Sequence, residues 1–530
     1  MKHRVVTTRR QFFAALAAAG GAAALAGCSG SGSGSSQAAE GTLTIGIQDE
    51  PEGLDIQQIT WENYVHWLIY EPLLNYSDDL SQVSPAFAES FEASEDGLTY
   101  TIVLPEDAKF SNGDALDANA YKASLDRYLE ISPYSSDYAD VASVEVPDNR
   151  TLVFHMSVPA PYFITPLSNT YSGIVDVAAI TDDAEFNRAP VANGPYVVEN
   201  WEQGSQITFV KNENYKTQNE FVENKGAFAF DKIVIRFIPD EFTRVSEVES
   251  GGVDLIFDVP TSSYAELEGN EDVQLFDYEQ AGVSYLYMQT ESGPLADIAV
   301  RQAITYAIDR DEIQSTLDGL VTPTYGYISS AQACYSAEEE EKLAGELAFD
   351  PDRARKALAD AGWSDSDGDG IVEKDGEPLS FEMLIPSDRA SLKNAAPVIQ
   401  QQLKNVGIDA QIVEQEAAYI KASMEANDFT MGSRNFVWLD PDILYSVFTP
   451  SSGYPWEDAE ITEALTVARQ TANNEERIAA YANFQDLLAT RFKAISLFAD
   501  KYAIAAKNII TGVHVTNDGR LFLADAGVSE

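Results

Sequence analysis

The chain has 530 residues, 45% hydrophobic and 11% aromatic, which is material for about two to four folded domains and excludes a disordered, collagenous or disulfide-held chain. With 34 basic and 85 acidic residues the net charge is −51, which argues against a nucleic-acid partner, since binding a phosphate backbone needs clustered cations. The surplus acid reads as a solvated surface.

The first 35 residues read as an address. Lys2, Arg4, Arg9 and Arg10 precede an uncharged run from Phe12 to Ala26. Fifteen helical residues span about 22 Å, short of a ~30 Å hydrocarbon core, so this is a secretory h-region rather than a membrane span. Thr8-Arg9-Arg10-Gln11-Phe12-Phe13 has the form of a twin-arginine export signal, with a general secretory signal as the alternative. Leu25-Ala26-Gly27-Cys28 resembles a bacterial lipobox, which makes Cys28 the expected lipid acceptor and first mature residue. The Ser/Gly run that follows is a flexible tether. Cys334 is then left without a partner thiol and reads as a buried, inert side chain.

In chain order, the spacing predicts strands near Leu43–Ile47 and Tyr100–Leu104 and a helix from about Asn119 to Tyr128. Lys232 to Ile238 alternates as a strand. Phe242, Val245 and Val248 form a helical stripe stopped by Gly251, and Val253 to Val259 is a second strand. Asp309 with Glu312 forms a capping box. Asp350 caps a helix that begins at Pro351, carries Ala354, Ala357, Leu358 and Ala361 on one stripe, and ends at Gly362. Phe381 to Ile385 is a strand. Ala396, Ile399, Leu403 and Val406 stripe a helix with Gly407 as its C-cap, and Ile408 to Ile412 is another strand. Two strand–helix–strand units about 150 residues apart imply parallel pairing within two α/β lobes.

Enzyme motifs are missing: no G-x-S-x-G, H-E-x-x-H, G-x-G-x-x-G or P-loop lysine. His66, His155 and His514 are too far apart for a metal set, and no catalytic residue is expected. One acidic stretch is specific. Asp365, Asp367, Asp369 and Glu373 place oxygen donors at intervals around Gly368 and Gly370, the opening of a calcium loop, although the twelfth position is Gly376. The expectation is no cofactor beyond a structural calcium there, with an acidic surface hairpin as the alternative.

A series of phrases carries a family resemblance. Leu54-Asp55 and Ile69-Tyr70-Glu71-Pro72-Leu73 open it. Tyr100 to Leu104, Lys109-Phe110 and Asn112-Gly113-Asp114 follow, then Asn193-Gly194-Pro195-Tyr196 and Gly251-Gly252-Val253-Asp254. Val300-Arg301-Gln302-Ala303, Tyr306 to Arg310, Gly362-Trp363 and Asp440-Pro441-Asp442 complete it. In their order and spacing, from about Thr42 to Gly512, the chain resembles an extracytoplasmic solute-binding protein of the peptide/nickel type, family 5, the receptor of ATP-binding-cassette (ABC) importers.

The resemblance implies an α/β, two-lobed, periplasmic-binding-protein-like (type II) fold joined by two crossing strands, with an extra α/β subdomain in the N-terminal lobe. The corresponding division is export signal 1–27, lipidated Cys28 and tether 28–41, and lobe I from 42–77, 195–280 and 500–530. The subdomain is 78–194 and lobe II is 281–499. The implied function is a lipid-anchored monomer on the extracytoplasmic face of the cell membrane. It captures a small solute, an oligopeptide in the first reading, and delivers it to an importer permease, with no nucleic acid and no membrane contact beyond the anchor. The alternatives are a non-peptide solute (oligosaccharide, opine-like compound or metal chelate) or a sensory or adhesion receptor. The expected ligand contacts are Trp61, Tyr64, Arg434, Asn435, Phe436 and Trp438. Peptide-binding members commonly hold the peptide amino group with an aspartate three residues before the Asp-Pro pair. Here that position is Val437, and the family's tryptophan position, six residues before the pair, is Arg434.

Overall fold

The computed structural model describes residues 41–77, 80, 82–450, 458–517 and 519–529. The export signal, Cys28 and most of the tether lie outside the described residues.

A twelve-stranded mixed sheet runs through both lobes. In lobe I, Thr42–Ile47 is flanked by two parallel neighbours, Lys232–Phe237 and Leu255–Ile256. The hairpin Tyr196–Glu202 and Gln206–Lys211 extends the sheet on the Lys232 side. In lobe II, Ser380–Pro386 pairs parallel with Asp409–Gln415 over seven residues, and Met431–Asn435 joins it to Ser284–Met288.

One strand of 14 residues, Ala494–Lys507, belongs to both lobes. Its first half pairs with Ser284–Met288 and Val321–Pro323. Its second half pairs with Val273–Glu279 and Leu255–Ile256. Ala494 to Asp500 and Ala503 to Ala506 are buried, with half-exposed Lys501 and Tyr502 between them, which places the seam at those two residues. The second connection is Gln280–Val283, between Val273–Glu279 and Ser284–Met288. A Cβ on Gly282 would sit 1.9 Å from the Phe436 carbonyl oxygen, so only glycine lets this connection lie against the lobe-II segment beside it.

Both strand–helix–strand units form because their local signals agree. Asp240 accepts from the Thr243 amide at 2.8 Å, and Gly251 takes φ 81°, which closes the helix Glu241–Ser250. Two expectations are corrected. The second strand is only Leu255–Ile256, and Phe242 is 56% exposed, because the buried stripe is Arg244, Val245 and Val248. In lobe II the helix is Ala390–Lys404 with Asn405 as its C-cap; Gly407 (φ 92°) turns the chain two residues later. Asp309 caps as expected, accepting from Asp311 and Glu312. The return half of the capping box is replaced by Gln402, which accepts from the Asp309 amide and donates to Glu312.

The subdomain is a four-stranded antiparallel sheet in the order Ser90–Ala93, Thr99–Val103, Thr151–Met156, Val141–Glu145. It packs with the helix Ala118–Ile131 around a core of its own. The chain enters it past Ile69–Leu74 and returns past Asn193–Pro195, and the Asn-Gly-Pro-Tyr phrase joins the two passages. Gly194 donates to the Ile69 carbonyl at 2.8 Å, and a Cβ there would lie 2.3 Å from the Ile69 carbonyl carbon. Asn193 donates to the Glu71 carbonyl, and Asn212 donates to that of Gly194.

Candidate functional site

The seam collects aromatic and acidic groups from both lobes. From lobe I, the Tyr64 ring stacks on Phe257 at 3.6 Å, and its hydroxyl donates to Asp258 Oδ1 at 3.3 Å. Burial pushes the Asp258 carboxyl up, against the pull of Arg244 and the Tyr64 hydrogen bond. On the crossing strands, Tyr278 and Tyr502 stack at 5.6 Å. Burial also raises Asp500, which accepts from Ser284 at 3.4 Å and faces Ser391 and Arg389.

From lobe II, Met431–Asn435 runs antiparallel to Ser284–Met288, opposing Arg434 to Tyr285 and Asn435 to Ser284. Arg434 is half-buried, with Nη1 3.5 Å from Met424 Sδ. Past the strand, side chains alternate. Phe436 is buried against Tyr285 in the lobe-II core, Val437 is 42% exposed and Trp438 is half-buried. Trp438 is held by its backbone: its amide donates to Ala281 and its carbonyl accepts from Gln332. Trp61 is 66% exposed on a loop of lobe I. Phe257, Asp258, Tyr278, Tyr502, Asp500 and Arg389 had no sequence signal, because segments far apart in the chain bring them together: Tyr278 and Tyr502 through strand pairing, and Arg389 from the start of the helix Ala390–Lys404.

Beyond Trp438, Asp440 is fully buried and accepts from Arg477 Nη1 at 2.9 Å and Nη2 at 2.7 Å. It also accepts from the Asp442 amide, which orients the Asp-Pro turn. Asp442 pairs with Arg469 at 2.9 Å. The Arg469 guanidinium lies 4.4 Å over Tyr445 and 5.0 Å over Tyr162 of the subdomain, so lobe II touches the subdomain here. Burial pushes Asp442 up to about 6, against the pull of Arg469. Burial, with Asp442 nearby, pushes Asp137 of the subdomain up to about 7.

A carboxyl raised by folding stabilises while protonated. Its contribution is full below the ordinary carboxylate range near 4 and is lost as pH rises through 6 to 7. Thermal melting between pH 4.5 and 8 is therefore expected to fall more steeply for the native chain than for Asp137→Asn. Parallel curves would remove Asp137 from this account.

In the acidic loop, Asp365, Asp367, Asp369 and Glu373 each bring a carboxylate oxygen within 4.8 Å of the others, a donor set suited to calcium. The same carboxylates also brace the loop. Asp365 accepts from Gly368 and Gly370, Asp367 from Asp369, Asp369 from Ile371 and Glu373 from Ser366. His66 is fully buried and pushed down to about 4 by burial, so it is the neutral imidazole, with Nδ1 accepting from the Asn63 amide at 2.9 Å and Nε2 donating to the Gly53 carbonyl at 3.0 Å, as befits a packed residue. Cys334 is half-buried rather than buried, and desolvation lifts its thiol to about 11, far from thiolate chemistry.

Two α/β lobes sharing one strand, with polar and aromatic groups of both gathered at their seam, define a two-lobed solute-binding receptor. The chain belongs to the bacterial extracellular solute-binding proteins, family 5, whose pattern matches residues 82–456. It is 28% identical over 389 residues to the nickel-binding periplasmic protein of Escherichia coli K12, covering 69% of each chain. It is 26% identical over 501 residues to the oligopeptide-binding protein AppA of Bacillus subtilis, covering 88% of this chain and 89% of that one. The structure of NikA from Brucella suis in complex with Fe(III)-EDTA superposes with a TM-score of 0.80 at 24% identity, over 92% of this chain and all of that one. The two-lobed type II fold implied by the phrases is thus observed. Family 5 proteins are transport receptors of ABC importers. Among the described residues, no helix is long and apolar enough to cross a membrane.

Proposed function

We propose that the protein is a lipid-anchored receptor on the extracytoplasmic face that captures a peptide-like solute between its lobes and delivers it to an ABC importer permease. The observation that carries this reading is the seam. Tyr64 and Asp258 of lobe I, Tyr278 and Tyr502 of the crossing strands, and the Arg434–Trp438 segment of lobe II offer stacking faces and polar groups to one ligand. Closure around such a ligand is favoured because only the closed state makes both sets of contacts. The relatives that bind oligopeptides and glutathione by name support the peptide class.

A second reading keeps the fold and replaces the solute with a non-peptide one. It is favoured by Val437 at the position where peptide-binding members carry an aspartate, with Arg434 on the same segment. Calorimetric titration with mixed oligopeptides, glutathione, agropinic acid and a nickel–histidine chelate separates the two. Saturable binding of peptides supports the first reading, and binding confined to the last two compounds overturns it.

The anchor rests on the lipobox. Cys28→Ser is expected to release the protein from the membrane fraction or leave the precursor uncut; a processed, membrane-bound mutant would refute lipidation. The loop of Asp365, Asp367, Asp369 and Glu373 is proposed to hold a structural calcium. Chelation is then expected to lower the melting temperature and calcium to restore it, whereas unchanged melting leaves a self-braced hairpin.

A further inference from the structure

The contact between lobe II and the subdomain sets acids of both sides around one arginine. Arg469 stands in the last turn of the helix Ala459–Gln470, which packs against the subdomain turn Pro161–Phe163. Its guanidinium pairs with Asp442 of its own lobe at 2.9 Å and lies 5.0 Å over the Tyr162 ring of the subdomain. The Tyr162 hydroxyl in turn donates to Asp140. Burial pulls the Arg469 guanidinium down, yet Asp442, Tyr162 and Asp140 together hold it above its ordinary value, so charges of both sides act on it. Asp137 is a further subdomain acid at this contact, and Asp442 acts on it from lobe II.

A second approach lies beside the first. Gly97, in the turn between Ser90–Ala93 and Thr99–Val103, comes so close to lobe II that a Cβ on it would sit 3.2 Å from Ala472 Cβ, two residues past the Arg469 helix. Neither approach involves the crossing strands, so both part when the lobes open.

Closing this face of a chain with net charge −51 brings Asp137 and Asp140 toward Asp442. Like charges repel more strongly as water leaves the space between them. Arg477 is also near Asp442, but both nitrogens of its fork are spent on Asp440. Arg469 offsets the repulsion from both sides at once, and only while the lobes are together. In the open state it keeps Asp442 and loses Tyr162 and Asp140. That difference between the two states is what an energetic bias toward closure requires.

We propose that Arg469 is a positioning residue for solute capture: it latches lobe II to the subdomain in the closed state, as cation over Tyr162 and as shared counter-ion of Asp442, Asp137 and Asp140. It acts through closure rather than by touching solute. This role rests on the proposed capture of solute between the lobes, and it adds to closure a share that is the same for every solute.

The test is amide hydrogen exchange of the full, solute-free protein at pH 8, above the values of about 6 and 7 to which Asp442 and Asp137 are pushed. In Arg469→Gln, amides of the Gly97 turn and of the Pro161–Phe163 turn are expected to exchange about tenfold faster, with the lobe-II core strand Ser380–Pro386 unchanged. The Gly97 turn is the informative place, because its contact is with Ala472 and local loosening around Arg469 would not reach it. Arg469→Lys keeps the charge and is expected to stay near the native rates. Adding Asp137→Asn and Asp140→Asn to Arg469→Gln removes the repulsion and is expected to restore protection. Unchanged exchange at the Gly97 turn in Arg469→Gln would overturn the latch. So would acceleration spread evenly through lobe II with a lower melting temperature, which is loss of fold rather than of closure. Arg469→Lys behaving like Arg469→Gln, or no recovery with the two asparagines, would overturn the counter-ion role. Every readout is taken without solute, so failure here leaves the receptor reading standing, and failure to bind a chosen solute leaves the latch standing.

Discussion

Arg477→Met is expected to destabilise the protein by about 3–5 kcal/mol, the cost of leaving a buried carboxylate without its partner. Asp440 is 1% exposed, and both its oxygens receive hydrogen bonds from the Arg477 guanidinium. Arg477 also bonds the Ala468 carbonyl and lies 5.4 Å over the Tyr481 ring, so methionine retains part of the packing but none of the charge. The pair's net worth is smaller than this loss, because burying two charges is itself costly. The double mutant Asp440→Asn/Arg477→Met is therefore expected to be more stable than Arg477→Met alone. In the single mutant the buried carboxyl would gain by protonation, so stability should recover as pH falls. Urea denaturation of the native chain, both single mutants and the double mutant at pH 7 and pH 5 checks all three points. A loss below about 1 kcal/mol in Arg477→Met would show that water reaches Asp440 and that the pair is no more than a surface bridge.

This pair also marks where the sequence stops being readable. The strand–helix–strand units are visible in the sequence because every signal is local. Asp240 and Gly251 lie at the two ends of one helix, and the alternation of Lys232 to Ile238 needs no partner to be seen. Arg477 stands on another helix, Asn474–Arg491, and nothing beside Asp440 announces it. The strand Ala494–Lys507 hides its role for a different reason. Both its faces are buried through most of its length, so it shows mostly apolar stretches broken at Ser496 and at Asp500-Lys501 rather than alternation, and its membership of two lobes lies entirely in its partners. The crossing strands were legible only through family resemblance. The same limit splits the proposed contacts. Phe436 and Trp438 are two residues apart in the sequence, yet Phe436 is packed into the lobe-II core while Trp438 is half-buried.

Trp438→Ala is expected to weaken solute binding by about 1–3 kcal/mol, roughly five- to 150-fold, while leaving solute-free melting nearly unchanged. The ring is half-buried, and its residue is fastened by the backbone bonds to Ala281 and Gln332, which alanine keeps. Truncation therefore removes a surface the solute would cover without unpinning the segment. A Trp that served mainly as core would give the opposite pattern: about 3–5 kcal/mol of lost stability and normal affinity in the folded fraction. Calorimetric titration and melting of the same mutant distinguish the two, and destabilisation with intact binding would take Trp438 out of the site. Arg434→Ala probes polarity on the same segment. Arg434 is half-buried on the strand Met431–Asn435, opposite Tyr285. A guanidinium contributes most against a carboxylate or another acceptor-rich group, because it donates in a planar fork. If the solute presents such a group to lobe II, Arg434→Ala loses affinity for carboxylate-bearing ligands and keeps it for their amidated forms. An equal loss for both forms would assign Arg434 to holding the strand rather than reading the solute.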